Sequence, residues 1–191
     1  MSTRERILEE ALRSFALHGY GATSLDALAG HLGVRKQTIL YHFASKDALL
    51  TAVIDEGAGD LAGALETAVA AGADGFARVE AIVDAVFRLG AHRPELLELL
   101  REITRLGPPA STRLTQTLDP LLRRAGAYLA AAGGGLGAPD PRRVILTACA
   151  MVIGTATEVE VLRTLGVEPD LASLRRRRRA LLDYLHHSLV R

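Results

Sequence analysis

Apolar residues recur at three- and four-residue intervals from near the beginning of the chain to near its end. The first run consists of Ile7, Leu8, Ala11, Leu12 and Phe15. This spacing places apolar side chains on one face of a helix. Ser2 and Glu5 have the spacing of a capping box, which starts a helix, and Gly19 is suited to a C-terminal cap. We therefore predict a first helix that begins after Ser2 and ends before Gly19.

The pattern predicts two shorter helices next. Thr23-Ser24 is a start signal, and the apolar positions that follow it are Leu25, Leu28, Ala29 and Leu32. Gly33 supplies a turn, and Val34 begins a third helix in which Ile39 and Phe43 face the core. The side chains left to face outward are those of Arg35, Lys36, Gln37, Thr38, Tyr41 and His42.

Six further helices are predicted in the rest of the chain. Their starts are Ser45, Phe76, Pro94, about Ser111, Asp140 and near Asp170, and the eighth of the nine extends to about Leu165. Gly57, Gly59 and Gly63 lie within the fourth helix, where either close packing or a bend would explain them. Pro120 predicts a kink or a restart in the seventh. With no strand pattern and no internal repeat, the predicted fold is all-α with nine helices.

The composition is that of a globular protein. Hydrophobic residues make up 49% of the 191 residues and the net charge is +1, so nucleic-acid binding would have to come from a local patch. The single cysteine, Cys149, excludes a disulfide within the chain and fits a reducing compartment. The longest apolar run, Val144–Ala156, is shorter than the ~20 residues that span a bilayer, and no signal-peptide pattern is present. We therefore expect a soluble, cytoplasmic protein without a membrane partner.

A local patch of this kind surrounds the predicted third helix. Lys36 and Lys46, the only lysines of the chain, flank the aromatic pair Tyr41-His42. Cationic, amide, hydroxyl and aromatic side chains on one short helix after a glycine turn suit a DNA groove and its flanking phosphates. Taken alone, these charges are equally compatible with an ordinary solvated helix face. The surrounding sequence therefore decides between a solvated face and a DNA-binding surface.

The surrounding sequence resembles the TetR family of transcriptional repressors. The resemblance rests on His-Gly-Tyr at residues 18–20, on Thr-Ser-Leu-x-x-Leu-Ala-x-x-Leu-Gly-Val at residues 23–34, and on Lys-x-x-x-Leu-Tyr-His-Phe-x-Ser-Lys-x-Ala-Leu-Leu at residues 36–50. It implies a helix-turn-helix DNA-binding domain over residues 1–48. It also implies a helical ligand-binding and dimerisation domain over residues 49–191.

The resemblance also implies which residues contact DNA. It makes Val34–Phe43 the recognition helix. The implied contacts are Thr23, Arg35, Lys36, Gln37, Thr38, Tyr41, His42 and Lys46. Gln37 suits adenine and Arg35 suits guanine, whereas Lys46 and Thr23, the latter at the cap of the second helix, would hold the phosphate backbone. Family members often carry tyrosine at the position of Leu40, followed by another aromatic residue, whereas in this chain the tyrosine stands one place later, at Tyr41.

The C-terminal region suggests a dimer and a ligand cavity. From Val144 to Ile153 the predicted eighth helix is apolar nearly all round, which favours a homodimer through the eighth and ninth helices. The candidates for lining an apolar cavity are Phe76, Phe87, Leu97, Leu100, Ile103, Tyr128 and Met151. Polar anchors for a ligand could come from His92, Arg101 and Glu102. The run Arg175–Arg179 is interpreted as a solvated helix face with ion pairs to carboxylates such as Asp183, or as a contribution to the dimer interface.

Enzyme, metal and cofactor signatures are missing from the sequence. There is no Gly-x-Ser-x-Gly, phosphate-binding glycine loop or His-Glu-x-x-His, and His186-His187 lacks partners at metal-ligand spacing. We expect a non-enzymatic homodimer that binds a pseudo-palindromic operator and is released by a small apolar or amphipathic inducer. Two alternatives stay open: a constitutive DNA-binding protein without an inducer, and a helical enzyme or carrier that uses the cavity. Repression and activation are both compatible with the sequence.

Overall fold

The computed structural model is all-helical in the part of the chain that it describes. That part consists of residues 1–71, 76–130, 150–151, 154, 165–166 and 171–189. Its eight helices are α1 (Thr3–His18), α2 (Leu25–Leu32), α3 (Lys36–His42), α4 (Lys46–Ala70), α5 (Ala77–His92), α6 (Pro94–Leu106), α7 (Ala110–Ala130) and α8 (Leu171–Leu189). The prediction of an all-α fold is confirmed. None of these helices combines the length and the apolar character needed to cross a membrane.

The last described helix, α8, is the predicted ninth helix. The predicted eighth helix lies outside the described residues except for residues 150, 151 and 154, which are helical. The apolar run from Val144 to Ile153, on which the dimer prediction depends, also lies largely outside them.

The caps of α1 follow the sequence prediction. The backbone N–H of Glu5 donates to Ser2 Oγ at 3.2 Å, and the backbone N–H of Ser2 donates to Glu5 Oε2 at 2.8 Å. This reciprocal pair satisfies donors that a helix start leaves without partners. At the other end Gly19 has φ +81° and donates its N–H to the carbonyl of Phe15. The chain can therefore turn sharply out of α1 at a residue that has no Cβ.

The start of α3 differs from the prediction. The third helix begins at Lys36, and Arg35 is its extended N-cap residue. Val34 follows the C-terminal cap of α2 and is held there, because its N–H donates to the carbonyl of Ala29 at 3.0 Å. Gly33 makes this possible with φ +66°, a left-handed conformation that ends α2.

One compact unit combines α1, α2 and α3 with parts of later helices. It contains residues Met1–Gly59 and Glu95–Thr117. Leu99 and Ile103 of α6 lie in the same hydrophobic core as Phe15, Ile39 and Leu49. This unit therefore extends beyond the predicted functional division after residue 48, and that division stays a prediction.

The second compact unit comprises the described parts of Asp60–Pro94 and Leu118–Arg191. Its α5 packs against α8, and the buried residues of the two helices include Val79, Ile82, Val83, Leu181 and Leu185. Arg178 binds Asp84 of α5 with both Nε and Nη2, the latter at 2.9 Å from Oδ2. Arg178 thus forms an ion pair with a carboxylate, as predicted for the run, but its partner is Asp84 and not Asp183, the example given. Burial of Leu181 and Leu185 turns α8 so that Arg178 faces α5.

The glycines of α4 do not all have the same role. The helix runs unbroken through all three of them. A Cβ at Gly57 would lie 2.9 Å from Leu96 Cδ2, whereas nothing lies within 4 Å of a Cβ at Gly59 or Gly63. Close packing against α6 therefore explains Gly57 alone. Likewise α7 is one helix that includes Pro120, so the predicted restart does not occur.

Gly59→Ala is expected to raise the free energy of unfolding by about 1 kcal/mol, because alanine is the better helix former and its Cβ meets no neighbour. Gly57→Ala is expected to gain less, because the new Cβ would displace the end of the Leu96 side chain. Urea denaturation of the two variants measures the difference. Equal gains would contradict close packing at Gly57.

Candidate nucleic-acid interface

Helix α3 is anchored on one side and open on the other. Ile39 is 0% exposed and Phe43, which follows the helix, is buried, so both hold it against the core. Tyr41 is 85% exposed and stacks edge-on with His42 at 5.2 Å between ring centroids. Arg35, Lys36 and Gln37 are exposed, and Thr38 and His42 are half-buried. Six predicted contacts therefore lie on or beside the accessible side of one short helix.

Thr23 is placed differently from the prediction. Ser24, not Thr23, caps α2, because Ser24 Oγ accepts the backbone N–H of Ala27 at 3.0 Å. Thr23 is 5% exposed, and its hydroxyl donates to the carbonyls of Ser14 and Gly19 at 3.2 and 2.9 Å. Because Ser24 occupies the cap position, the cap role inferred for Thr23 is wrong, and a contact of Thr23 with DNA stays a prediction. The residue instead fastens the start of α2 to the end of α1.

The two lysines have different surroundings. Lys36 Nζ donates to Asp26 Oδ2 at 2.8 Å, an exposed pair of the kind that contributes at most about 1 kcal/mol and that a phosphate can displace. Lys46 Nζ lies 4.2 Å from the centre of the Tyr20 ring. No carboxylate pairs with Lys46 among the residues that the structure describes. Its positive charge is therefore accessible to an incoming anion without breaking an ion pair.

Tyr20 connects several elements around Lys46. Its ring packs edge-on against Phe15 at 5.4 Å, and its hydroxyl donates to Asp47 Oδ1. Burial, and then the hydrogen bond and the charge of Asp47, raise the pKa of Tyr20. The hydroxyl is thus a protonated donor at neutral pH. Ser45 Oγ accepts the backbone N–H of Ala48 at 3.0 Å, which confirms the predicted cap of α4 beside this cluster.

Glu102 of α6 is engaged within the protein. Its Oε1 accepts the backbone N–H of Tyr20 at 2.6 Å, and Arg105 donates Nε and Nη2 to its two oxygens, each at 2.7 Å. The hydrogen bonds from Arg105 lower the pKa of Glu102, and the bond from Tyr20 adds to this against the opposing effect of burial. Glu102 was a candidate ligand anchor, but both its oxygens are used here. Sequence spacing gave no signal for a contact between residues so far apart.

Arg4 is a residue that the sequence analysis missed. Its guanidinium carbon lies 5.3 Å from the centre of the Phe43 ring, at the end of α3. Nearby, Arg6 donates Nη2 to the carbonyl of Leu32 at 3.2 Å. A basic residue in the first turn of a helix opposes the helix dipole. That mismatch was the available signal that Arg4 serves a non-local purpose.

The cavity candidates are divided between the two compact units. Leu97, Leu100 and Ile103 belong to the first unit, where Ile103 is part of the core. Phe76, Phe87, Tyr128 and Met151 belong to the second. Phe76 packs edge-on against His186 at 4.8 Å, Met151 is exposed, and the side chain of Tyr128 lies outside the described residues. Their assignment to a ligand cavity stays a prediction.

The other two proposed anchors have local partners. His92 Nδ1 lies 2.7 Å from the carbonyl oxygen of Arg88, one turn earlier in α5. Arg101 Nη1 donates to Glu98 Oε2 at 2.8 Å within α6.

Comparison with known proteins matches a family model to the N-terminal part of the chain, which contains this candidate interface. Residues 7–53 match the sequence model of a family described as bacterial regulatory proteins, tetR family. YerO of Bacillus subtilis, an uncharacterised HTH-type transcriptional regulator, is 40% identical over 47 residues, which are 25% of this chain and 16% of YerO. The HTH-type transcriptional repressor SCO4008 of Streptomyces coelicolor is 31% identical over 99 residues, 52% of this chain and 48% of the repressor. The match thus spans less than half the length of either relative.

Similarity to solved structures extends over nearly the whole chain. A protein from Saccharomonospora viridis, solved in complex with choline, superposes with a TM-score of 0.71 and 21% identity, covering 98% of this chain and 97% of the other. At this level of identity the similarity shows a common fold.

Glu102→Gln is expected to weaken the loss of stability in acid. Because the pKa of Glu102 in the folded protein lies below its ordinary value of 4.5, the carboxylate stabilises the fold fully above that value. This stabilisation disappears as the pH falls through the lower, folded-state pKa. Urea midpoints from about pH 3 to about pH 7 measure the effect. Glu98→Gln, on the same helix, controls for loss of one carboxylate, and an unchanged acid profile in Glu102→Gln would contradict the prediction.

Proposed function

We propose that this chain is a ligand-responsive repressor of the TetR family of bacterial transcriptional regulators, whose sequence model matches residues 7–53. It binds a pseudo-palindromic operator as a homodimer. A small apolar or amphipathic inducer releases it. The DNA contacts come from α3, from Lys46 and from the loop and helix ends around them.

The observation that carries this proposal is the two-sided environment of α3. Ile39 and Phe43 fix the helix in the core, while Arg35, Gln37 and Tyr41 stay accessible. A helix that is held from behind and exposes donors, acceptors and an aromatic ring suits the major groove. These side chains contribute little to the core, which favours a role in recognition.

The polar residues divide into those that suit base edges and those that suit the phosphate backbone. Arg35 offers a bidentate donor for guanine, and the amide of Gln37 can both donate to and accept from adenine. Lys36, once it leaves Asp26, and Lys46 suit phosphates. Arg4, beside Phe43, suits the same backbone at the other end of α3. With a net charge of only +1, the chain concentrates its attraction for DNA at this place.

The homodimer places two copies of α3 on one face of a duplex. A two-fold axis relates the subunits, and half-sites about 34–36 Å apart correspond to one turn of DNA. The contacts between subunits come from the predicted eighth helix and from α8. The exposed Tyr184 on α8 supports an interface there, because a large aromatic side chain gains from being covered.

Release by an inducer requires a difference in affinity between two conformations. An inducer that binds both equally would shift nothing, so it must prefer the conformation that does not fit the operator. The complex of the Saccharomonospora viridis protein with choline supports a small-molecule ligand for a protein of this fold. The family relationship supports a regulator rather than an enzyme.

Selection of bound duplexes from a random pool tests the proposal. The expected product is an enriched inverted repeat whose half-site centres lie about one turn of DNA apart. The enriched duplex then serves to screen small molecules that release it. A pool that shows no enrichment after repeated rounds would contradict the proposed function.

Lys46→Ala and Gln37→Ala are expected to weaken binding in different ways. Loss of Lys46 removes one phosphate contact, so affinity falls for all sequences and the salt dependence flattens by about one unit. Loss of Gln37 costs about 1–3 kcal/mol and relaxes the choice at one base pair. Titration of the selected duplex and its single-base variants at several salt concentrations separates the two effects. An unchanged affinity and salt slope in Lys46→Ala would contradict the assignment.

A further inference from the structure

We propose that Tyr20 is the positioning residue for Lys46, and that Glu102 of α6 holds Tyr20 in place for this purpose. The proposal rests on the proposed function, since Lys46 is taken to bind a DNA phosphate. It adds two residues, one of them from α6, that act through Lys46 without touching DNA.

Tyr20 lies in a turn, yet its backbone, its hydroxyl and its ring all have partners within the protein. Its backbone N–H donates to Glu102, its hydroxyl donates to Asp47, and its ring packs on Phe15. The face of the ring that remains lies under Lys46 Nζ, 4.2 Å from the centroid. Tyr20 is thus fixed at its backbone, its ring and its hydroxyl, and it offers a rigid surface to a flexible cation.

An aromatic ring is a suitable support for an ammonium that must later bind phosphate. The ring attracts the cation through its negative face but accepts no strong hydrogen bond. The three donors of the ammonium can then still turn toward an anion. A carboxylate in the same place would neutralise the charge and compete with DNA, as Asp26 does at Lys36. Restricting Lys46 beforehand also reduces the rotamer entropy that is lost on binding.

The hydroxyl of Tyr20 binds the carboxylate of Asp47, the residue next to Lys46 in the sequence. Asp47 follows Lys46 directly in the sequence and lies in the first turn of α4. By donating to Asp47, Tyr20 engages this carboxylate at the edge of the ring while the ammonium lies over the face. One side chain therefore separates the two opposite charges of neighbouring residues.

Glu102 determines where Tyr20 can be. Its carboxylate is 9% exposed and is clamped by Arg105, so it presents a fixed acceptor to the N–H of Tyr20. A Cβ at residue 19 would lie 3.2 Å from Glu102 Oε1, so the glycine there lets the carboxylate approach the backbone. Through this single contact α6 fixes the turn after α1 and, with it, the support of Lys46.

A double-mutant cycle tests the first part of the proposal. Tyr20→Leu is expected to weaken binding of the selected duplex by about two- to fivefold when Lys46 is present, the size of one accessible cation–π contact. In the Lys46→Ala background the same change is expected to have no further effect. Lys36→Ala, which removes the other lysine, is the matched control, and there the loss from Tyr20→Leu should persist in full. Circular dichroism confirms that each variant is folded.

Conservative variants test the contacts separately. Tyr20→Phe keeps the ring and should keep most of the affinity. Glu102→Leu removes the acceptor for the N–H of Tyr20 and should reproduce the loss seen in Tyr20→Leu, again only when Lys46 is present. Glu102→Gln retains an oxygen acceptor and should rescue binding.

Two results would overturn the positioning role: a full affinity in Tyr20→Leu, or an equal loss in the Lys46→Ala background, which would mark a general structural role. If Glu102→Leu bound the duplex as tightly as Glu102→Gln, the part assigned to Glu102 would be overturned. Failure of the proposed function has a different signature, because the unaltered protein would then select no duplex at all.

Discussion

The burial of Ile39 and Phe43 is the constraint on which the interface depends. Helix α3 has only seven residues, and a helix of that length is not stable alone in water. Its position comes from the two apolar side chains that enter a core shared with α1, α4 and α6. The buried side chains of Ile39 and Phe43 therefore determine the direction in which the exposed side chains of α3 point.

The same core brings a later helix into the N-terminal unit. Leu99 and Ile103 of α6 pack with Phe15, and Glu102, between them on the helix, reaches the backbone of Tyr20. Apolar packing and one charged hydrogen bond thus act at the same place. The environment of Lys46 is consequently defined by residues from α1, α4 and α6 together, although the lysine itself lies at a helix start.

Local signals in the sequence predicted most of this region, and contacts over long sequence separations account for what they missed. The capping box at Ser2, the turn at Gly33 and the inward positions Ile39 and Phe43 depend on neighbours within a few residues, and periodicity is sufficient to find them. The choice between Thr23 and Ser24 as a cap depends on the tertiary contact of Thr23 with α1, which spacing cannot show. The pairs Glu102 with Tyr20 and Arg178 with Asp84 join residues 82 and 94 positions apart, and only the fold brings them together. The outward residues Arg35, Gln37 and Tyr41 were identified because a helix with one apolar side has a defined opposite side.

The separation of buried and exposed side chains in and beside α3 affects how the sequence of such a protein can diverge. Arg35, Gln37 and Tyr41 project away from the packed interior, so replacing them leaves the folding of the chain almost untouched. Under the proposed function, single substitutions at these positions would change the preferred DNA sequence of a gene duplicate while the protein stays stable. Lys46 and Tyr20 lack this freedom, because Lys46 lies over the ring of Tyr20 and Tyr20 is bound by Glu102 of α6. Under the proposed function, substitutions at these two positions would weaken binding to every DNA sequence.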